Sequence, residues 1–145
     1  MGSVVSDYSI KMYVLVNQSL DMTKGKAAAQ IAHAVLKQFL DRMEKIDLLY
    51  MGEPATKYTL TIGGPIQRWL NERFTKVTLR VPTTDDIKTG IALAEASDVW
   101  VSEIRDDGRT QVDPNSLTVA AIGPFDTTDE SHRELVAWLS GWKLY

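Results

Sequence analysis

Ile10-Lys11-Met12-Tyr13-Val14-Leu15-Val16 is an almost unbroken apolar run, the pattern of a strand covered on both faces. Lys76 to Val81 alternates apolar and polar residues like a half-buried strand, and Pro82 closes it. Val99 to Ile104 and Leu117 to Ile122 predict two more strands, the first followed by an Asp106-Asp107-Gly108 turn and the second stopped by Gly123-Pro124. Between these runs the period lengthens to that of a helix. One helix is predicted from Lys26 to about Met43, with Asp21 or Thr23 as its cap. Thr83 or Thr84 caps a second through about Ser97, with Asp85 and Asp86 near its positive end, and a third covers about Asp129 to Leu139. Residues 45–75 are less regular. Met51-Gly52-Glu53-Pro54 breaks the chain, Tyr58 to Ile62 alternates like a short strand, and Gly63-Gly64-Pro65 turns into a helix through Trp69 and Phe74. Strands separated by helices predict an α/β fold, a three-layer sandwich with a mixed sheet of about four strands flanked by helices, the late strand pair antiparallel.

Length and composition narrow the class. At 145 residues, 44% hydrophobic and 24% charged, the chain suits one globular domain, expected over residues 10–145 behind a flexible start at residues 1–9. Met1-Gly2-Ser3-Val4-Val5-Ser6 fits a myristoylation template and is read as part of that loose start. No apolar run approaches the roughly 20 residues of a membrane span and no secretory signal is visible, so a cytoplasmic protein without membrane contacts is expected. Asn17-Gln18-Ser19 is formally a glycosylation sequon, set aside because it lies at a strand end of such a chain. With no cysteine and only His33 and His132, disulfides, thiolate metal sites and cysteine nucleophiles are excluded, and neither metal nor cofactor is expected. A net charge of −3 argues against indiscriminate nucleic-acid binding, so any RNA contact must use a local basic patch.

The first predicted helix carries the chemistry. At 100° per residue, Lys26, Gln30, His33 and Lys37 fall on one polar stripe, with Ala28, Ile31, Ala32, Val35, Phe39 and Met43 opposite as the face to be buried. Ala27 and Ala34 flank the stripe and permit close approach of a strand or ligand. Gly25 before the helix lets backbone N–H groups meet an anion, although the glycine spacing fits neither a P-loop nor a dinucleotide fingerprint. Periodicity alone is equally satisfied by a solvated helix face.

Three ordered blocks add to the pattern: Met22-Thr23-Lys24-Gly25-Lys26-Ala27-Ala28-Ala29-Gln30-Ile31-Ala32-His33-Ala34 after the first strand, Ile104-Arg105-Asp106-Asp107-Gly108-Arg109-Thr110-Gln111-Val112, and Thr118-Val119-Ala120-Ala121-Ile122-Gly123-Pro124. Together they resemble the type 2 peptidyl-tRNA hydrolases, in which a hydrophobic strand leads into a GKxAAQxxHA helix and an I-R-D-A-G-R-T-Q-I turn precedes a closing strand. The resemblance spans most of residues 10–124. It implies cleavage of the ester between a peptide and the 3′-terminal ribose of tRNA, with Lys26, Asp106, Thr110 and Thr118 as catalytic positions. It implies Gln30 and His33 as nearby support, peptidyl-tRNA as partner, and a homodimer; Gly25, as a close backbone approach to an anion, and Arg105 and Arg109, as cations, join them as expected substrate-binding positions. The chain departs from the family at Asn17-Gln18-Ser19-Leu20, in a longer stretch from Gly52 to Gln67, and after Ser131, where only Gly141 and Lys143-Leu144 match.

Ester hydrolysis needs an activated water, a cation or donors facing the oxyanion, and an anchor for the RNA end. Asp106 suits the base or water-orienting role, Lys26 the cation, and Thr110 and Thr118 the hydroxyls that fix water and carbonyl, without a metal. Lys24, Lys26, Lys37, Arg105 and Arg109 are the candidate phosphate patch. Two other classes stay open on the residues alone: a non-catalytic RNA- or protein-binding module on the same fold, and a small-molecule regulatory domain.

Overall fold

A computed structural model describes residues 9–107 and 113–145. The first apolar run forms strand β1 (Ile10–Asn17), and Thr23 caps helix α1 (Lys24–Leu40) by accepting from the Lys26 N–H at 3.3 Å. A hairpin of β2 (Glu44–Tyr50) and β3 (Glu53–Thr59) follows, then α2 (Gly64–Asn71), β4 (Lys76–Val81) and α3 (Thr84–Ala96). The chain ends with β5 (Val101–Arg105), β6 (Leu117–Asp126), α4 (Arg133–Leu139) and β7 (Lys143–Leu144). None of the described helices is long and apolar enough to cross a membrane.

The main sheet has the order β5-β6-β1-β4-β7. β1 runs parallel to β4 and antiparallel to β6, so the sheet is mixed as expected, with five strands because the two-residue β7 adds an edge on β4. Alternation along β1 divides the interior. Tyr13 and Leu15 join Leu79, Ile87, Ala94, Leu135 and Leu139 on the face covered by α3 and α4. Ile10, Met12, Val14 and Val16 join Ala27, Ala34, Trp69, Val119 and Ala121 on the face covered by α1 and α2. Helices on both faces complete the three layers.

Helix α1 is rotated from the orientation that its apolar stripe predicts. Its buried residues are Ala27, Gln30, Ala34 and Gln38, whereas Ala28 and Ala32 are exposed and Ile31, Val35 and Phe39 only half-buried, as is Met43 just past the helix. Close approach to the sheet explains the difference: two alanines make the contact, and the flanking amides are consumed there. Gln38 directs Nε2 at the carbonyls of Trp100 (3.1 Å), Ala121 (3.1 Å) and Gly123 (2.7 Å), which keeps a buried polar side chain satisfied.

β6 also runs past its expected stop. The register against β1 shifts between Lys11 and Tyr13, and this irregularity admits Gly123-Pro124 inside the strand. Gly123 has φ +97°, and a Cβ there would meet the Lys11 carbonyl oxygen at 2.9 Å, so glycine is required.

Residues 44–59 depart furthest from expectation, forming a hairpin where one short strand at 58–62 is predicted. Its two-residue turn, Met51-Gly52, has φ +52° and +80°, the left-handed pair of a type I′ connection. Helix α2 ends at Asn71 rather than Phe74, and α4 starts at Arg133 after a 3-10 turn over Glu130–His132. The expected loose start lies, apart from Ser9, outside the described residues, as does Gly108 of the expected turn.

Candidate functional site

β1 and β5 both run antiparallel to β6, so the ends of β1 and β5 and the beginning of β6 meet at one edge of the sheet. Lys26 reaches this edge from the first turn of α1, Asp106 follows the last residue of β5, and Thr118 is the second residue of β6. The Lys26 ammonium donates to Oδ1 of Asp106. Their side chains are 12% and 0% exposed, so the pair is largely withdrawn from water and neither charge can be removed without stranding the other. The backbone fixes Asp106 from both sides: its N–H donates to the Ser116 carbonyl at 2.9 Å, and its carbonyl accepts from the Asn115 N–H at 2.7 Å.

A second, neutral chain lies beside the charged pair. Gln30, one turn beyond Lys26, donates from Nε2 to Thr118 Oγ1 at 2.8 Å, and Thr118 donates from Oγ1 to the Ile104 carbonyl at 3.0 Å. Both side chains are buried. With its proton committed to Ile104, the Thr118 hydroxyl offers only acceptor capacity to anything else.

The other predicted positions are placed less centrally. Gly25 lies in the first turn of α1 rather than before it, because the helix starts at Lys24; it is exposed, and a Cβ built on it meets nothing within 4 Å, so open space lies beside that turn. His33 is exposed, and Lys37 pairs with Asp41 at 2.8 Å, so the polar stripe divides: Lys26 and Gln30 turn inward, His33 and Lys37 outward. Arg105 donates from Nη1 to the Asn115 carbonyl at 3.0 Å and lies 3.5 Å from Glu103. Arg109 and Thr110 lie outside the described residues.

One residue at this edge went unread in the sequence. Asn17, 1% exposed, donates from Nδ2 to Thr84 Oγ1 at 2.9 Å and to the Leu117 carbonyl at 2.8 Å. Its Oδ1 accepts from the Ser19 N–H and hydroxyl at 3.1 and 2.6 Å. It thereby ties the end of β1 to α3 and to the peptide preceding Thr118. The signal was an asparagine ending an apolar strand two residues before a serine, the pattern of an Asx turn, which the sequon obscures.

A family model described as Peptidyl-tRNA hydrolase PTH2 matches residues 10–133. The chain belongs to this family. The matched range contains Lys26, Gln30, Asp106 and Thr118, so the PTH2 match includes the whole sheet edge described above. The peptidyl-tRNA hydrolase of Sulfolobus acidocaldarius is 34% identical over 115 residues, which cover 79% of this chain and 87% of that one. That of Methanocaldococcus jannaschii is 33% identical over 115 residues, covering 79% and 86%. The peptidyl-tRNA hydrolase 2 of Saccharomyces cerevisiae is 36% identical over 117 residues, covering 79% of this chain and 50% of the yeast protein.

Proposed function

We propose that this PTH2 chain hydrolyses the ester joining a peptide to the 3′-terminal ribose of tRNA, as one unit over residues 10–145, and that Lys26 and Asp106 are its central catalytic residues. The observation that carries the reading is the Lys26–Asp106 pair, brought together across 80 positions of sequence beside the neutral Gln30–Thr118 chain of hydrogen bonds. Asp106 orients the attacking water and takes its proton. Lys26, held by that carboxylate, faces the oxygen on which negative charge develops when water attacks the ester carbon. A cation already fixed and partly desolvated stabilises that charge without rearranging. Thr110, four positions after Asp106 in the sequence, contributes a hydroxyl. Thr118 and Gln30 act one step back as positioning residues, because Gln30 donates to the Thr118 hydroxyl and that hydroxyl donates its own proton to the Ile104 carbonyl.

The RNA end is anchored by Lys24, Arg109 and the outer face of α1 with His33, together with Arg105. This supports a local rather than global attraction, in keeping with a net charge of −3. A peptidyl-tRNA substrate puts the protein's work in the cytoplasm, and the family resemblance supports a homodimer.

The test is release of tRNA from an N-blocked aminoacyl-tRNA by the purified chain. Asp106→Asn is expected to lower kcat/KM by about 10²- to 10⁴-fold, the span of a lost general base. Because the buried pair also contributes to stability, thermal melts must first show a folded variant. Full activity in folded Asp106→Asn, or tRNA binding without turnover by the wild type, would refute the catalytic reading, the second outcome favouring a binding module. A salt dependence of tRNA binding near zero would remove the basic patch.

A further inference from the structure

The β2–β3 hairpin stands outside both interior clusters, and its apolar side chains are open to solvent: Leu49 is 71% exposed, Tyr50 68% and Met51 87%. A two-stranded sheet with no covered face is marginal in water, and each of its strands has one unpaired edge. The two edges are not equivalent. Tyr50 and Glu53 flank the two-residue turn and therefore exchange hydrogen bonds, as do Leu48 with Ala55 and Ile46 with Lys57. The backbone groups of Lys45, Asp47 and Leu49 consequently point away from β3, and those of Pro54, Thr56 and Tyr58 point away from β2. Pro54 has no N–H to offer, which blunts the β3 edge. The β2 edge carries no such block.

We propose that the free edge of β2 pairs antiparallel with β2 of a second copy of this chain, joining two hairpins into a four-stranded sheet. Charge selects this occupant and its register. With Ile46 of both copies at the twofold axis, Lys45 of each copy stands directly opposite Asp47 of the other, two reciprocal ion pairs on one face. The residues so paired are those whose N–H and C=O groups point outward, giving about four new backbone hydrogen bonds. On the opposite face the two Ile46 side chains meet at the axis, with Leu48 beside Ile46 on each strand and opposite Glu44 of the other copy. Centring the pairing on Asp47 would set two carboxylates against each other, and centring it on Leu48 would leave Asp47 opposite Leu49. Asp47 is only loosely engaged within its own hairpin, by the Thr56 hydroxyl at 3.3 Å, so it is available across the edge.

The inference names the surface of the homodimer proposed above and is independent of the hydrolase reading, since mass reports on the hairpin and ester hydrolysis on Lys26 and Asp106. Sedimentation velocity of the full chain across a concentration series is expected to show a monomer–dimer equilibrium. Asp47→Lys should move its midpoint at least tenfold to higher concentration, and the double exchange Lys45→Asp with Asp47→Lys should return it, because the reciprocal pairs are rebuilt with reversed sign. Circular dichroism and esterase activity report folding in each variant. A monomer at every soluble concentration overturns the proposal. So does a dimer indifferent to Asp47→Lys but lost in Leu36→Glu, which would place the contact on the half-buried apolar side of α1.

Discussion

β6 and the β2–β3 hairpin are both antiparallel strand structure, and they are held by different physics. In β6 every residue from Leu117 to Phe125 is buried between two layers of helices. In the hairpin no residue is fully buried, and its order comes from a left-handed two-residue turn and a ladder of backbone bonds. The first is a strand because its neighbours need its side chains. The second is a strand because its turn fixes the geometry. The site proposed above rests on the first kind: Thr118 is the second residue of buried β6, where small displacements are resisted by packing on both faces, and Asp106 is bonded through its backbone to Asn115 and Ser116 just before that strand.

The largest test of that contrast is to overfill the interior. A Cβ on Gly90 in α3 would lie 2.5 Å from the Trp138 ring and 3.0 Å from Leu15, so Gly90→Ala should cost about 1–3 kcal/mol in chemical denaturation despite the better helix propensity of alanine. A gain in stability would mean that the α3–α4 layer is looser than its contacts imply. A smaller effect is expected at the hairpin. Met51→Asn places a residue suited to positive φ before Gly52 and should slow amide exchange in β2 and β3 severalfold in dilute monomer, while the global melting temperature stays nearly constant. An equal rise in both would show that hairpin and main sheet unfold as one unit and would erase the distinction.

The smallest effect lies on the exposed rim beyond β6. Asp129 accepts from the Ser131 hydroxyl at 2.8 Å and N–H at 2.9 Å, and these bonds hold its carboxyl below the usual aspartate range. A depressed carboxylate stabilises the fold above its unfolded value, and that contribution is lost as pH falls through the folded one. In Ser131→Ala the carboxyl should titrate at higher pH by carbon-detected NMR, so the loss begins earlier on acidification. An unchanged titration would assign the shift to other neighbours.

The same contrast explains what could be read in advance. Burial writes itself into composition, so β1, β4, β5, the core of β6 and three helices were legible from apolar runs and periodicity, and the ordered motif blocks singled out Lys26, Asp106 and Thr118, which the fold brings to one end of the sheet. The hairpin left a weaker trace: Lys45-Ile46-Asp47 mixes charges with an isoleucine, and Met51 in place of asparagine hides a type I′ turn. The rotation of α1 was illegible for another reason. A hydrophobicity pattern ranks Gln38 as surface, yet three carbonyls at one end of the sheet needed a donor, and only tertiary structure creates that demand. Asn17 was missed likewise, since its partners Thr84 and Leu117 are remote in sequence.

The strand order has a consequence for how the molecule comes into being. β6 sits between β1 and β5, and Asn17 finds its carbonyl partner 100 residues downstream at Leu117. During synthesis from the N-terminus, β1 and Lys26 leave the ribosome long before the strand that must insert beside them. Such distant pairing is slow to form, and until β6 is threaded into place the Lys26–Asp106 pair proposed as the site is not assembled. On the proposed mechanism, competence for catalysis therefore arrives all at once, only after β6 has been made, and a truncated product that lacks β6 is expected to be inert.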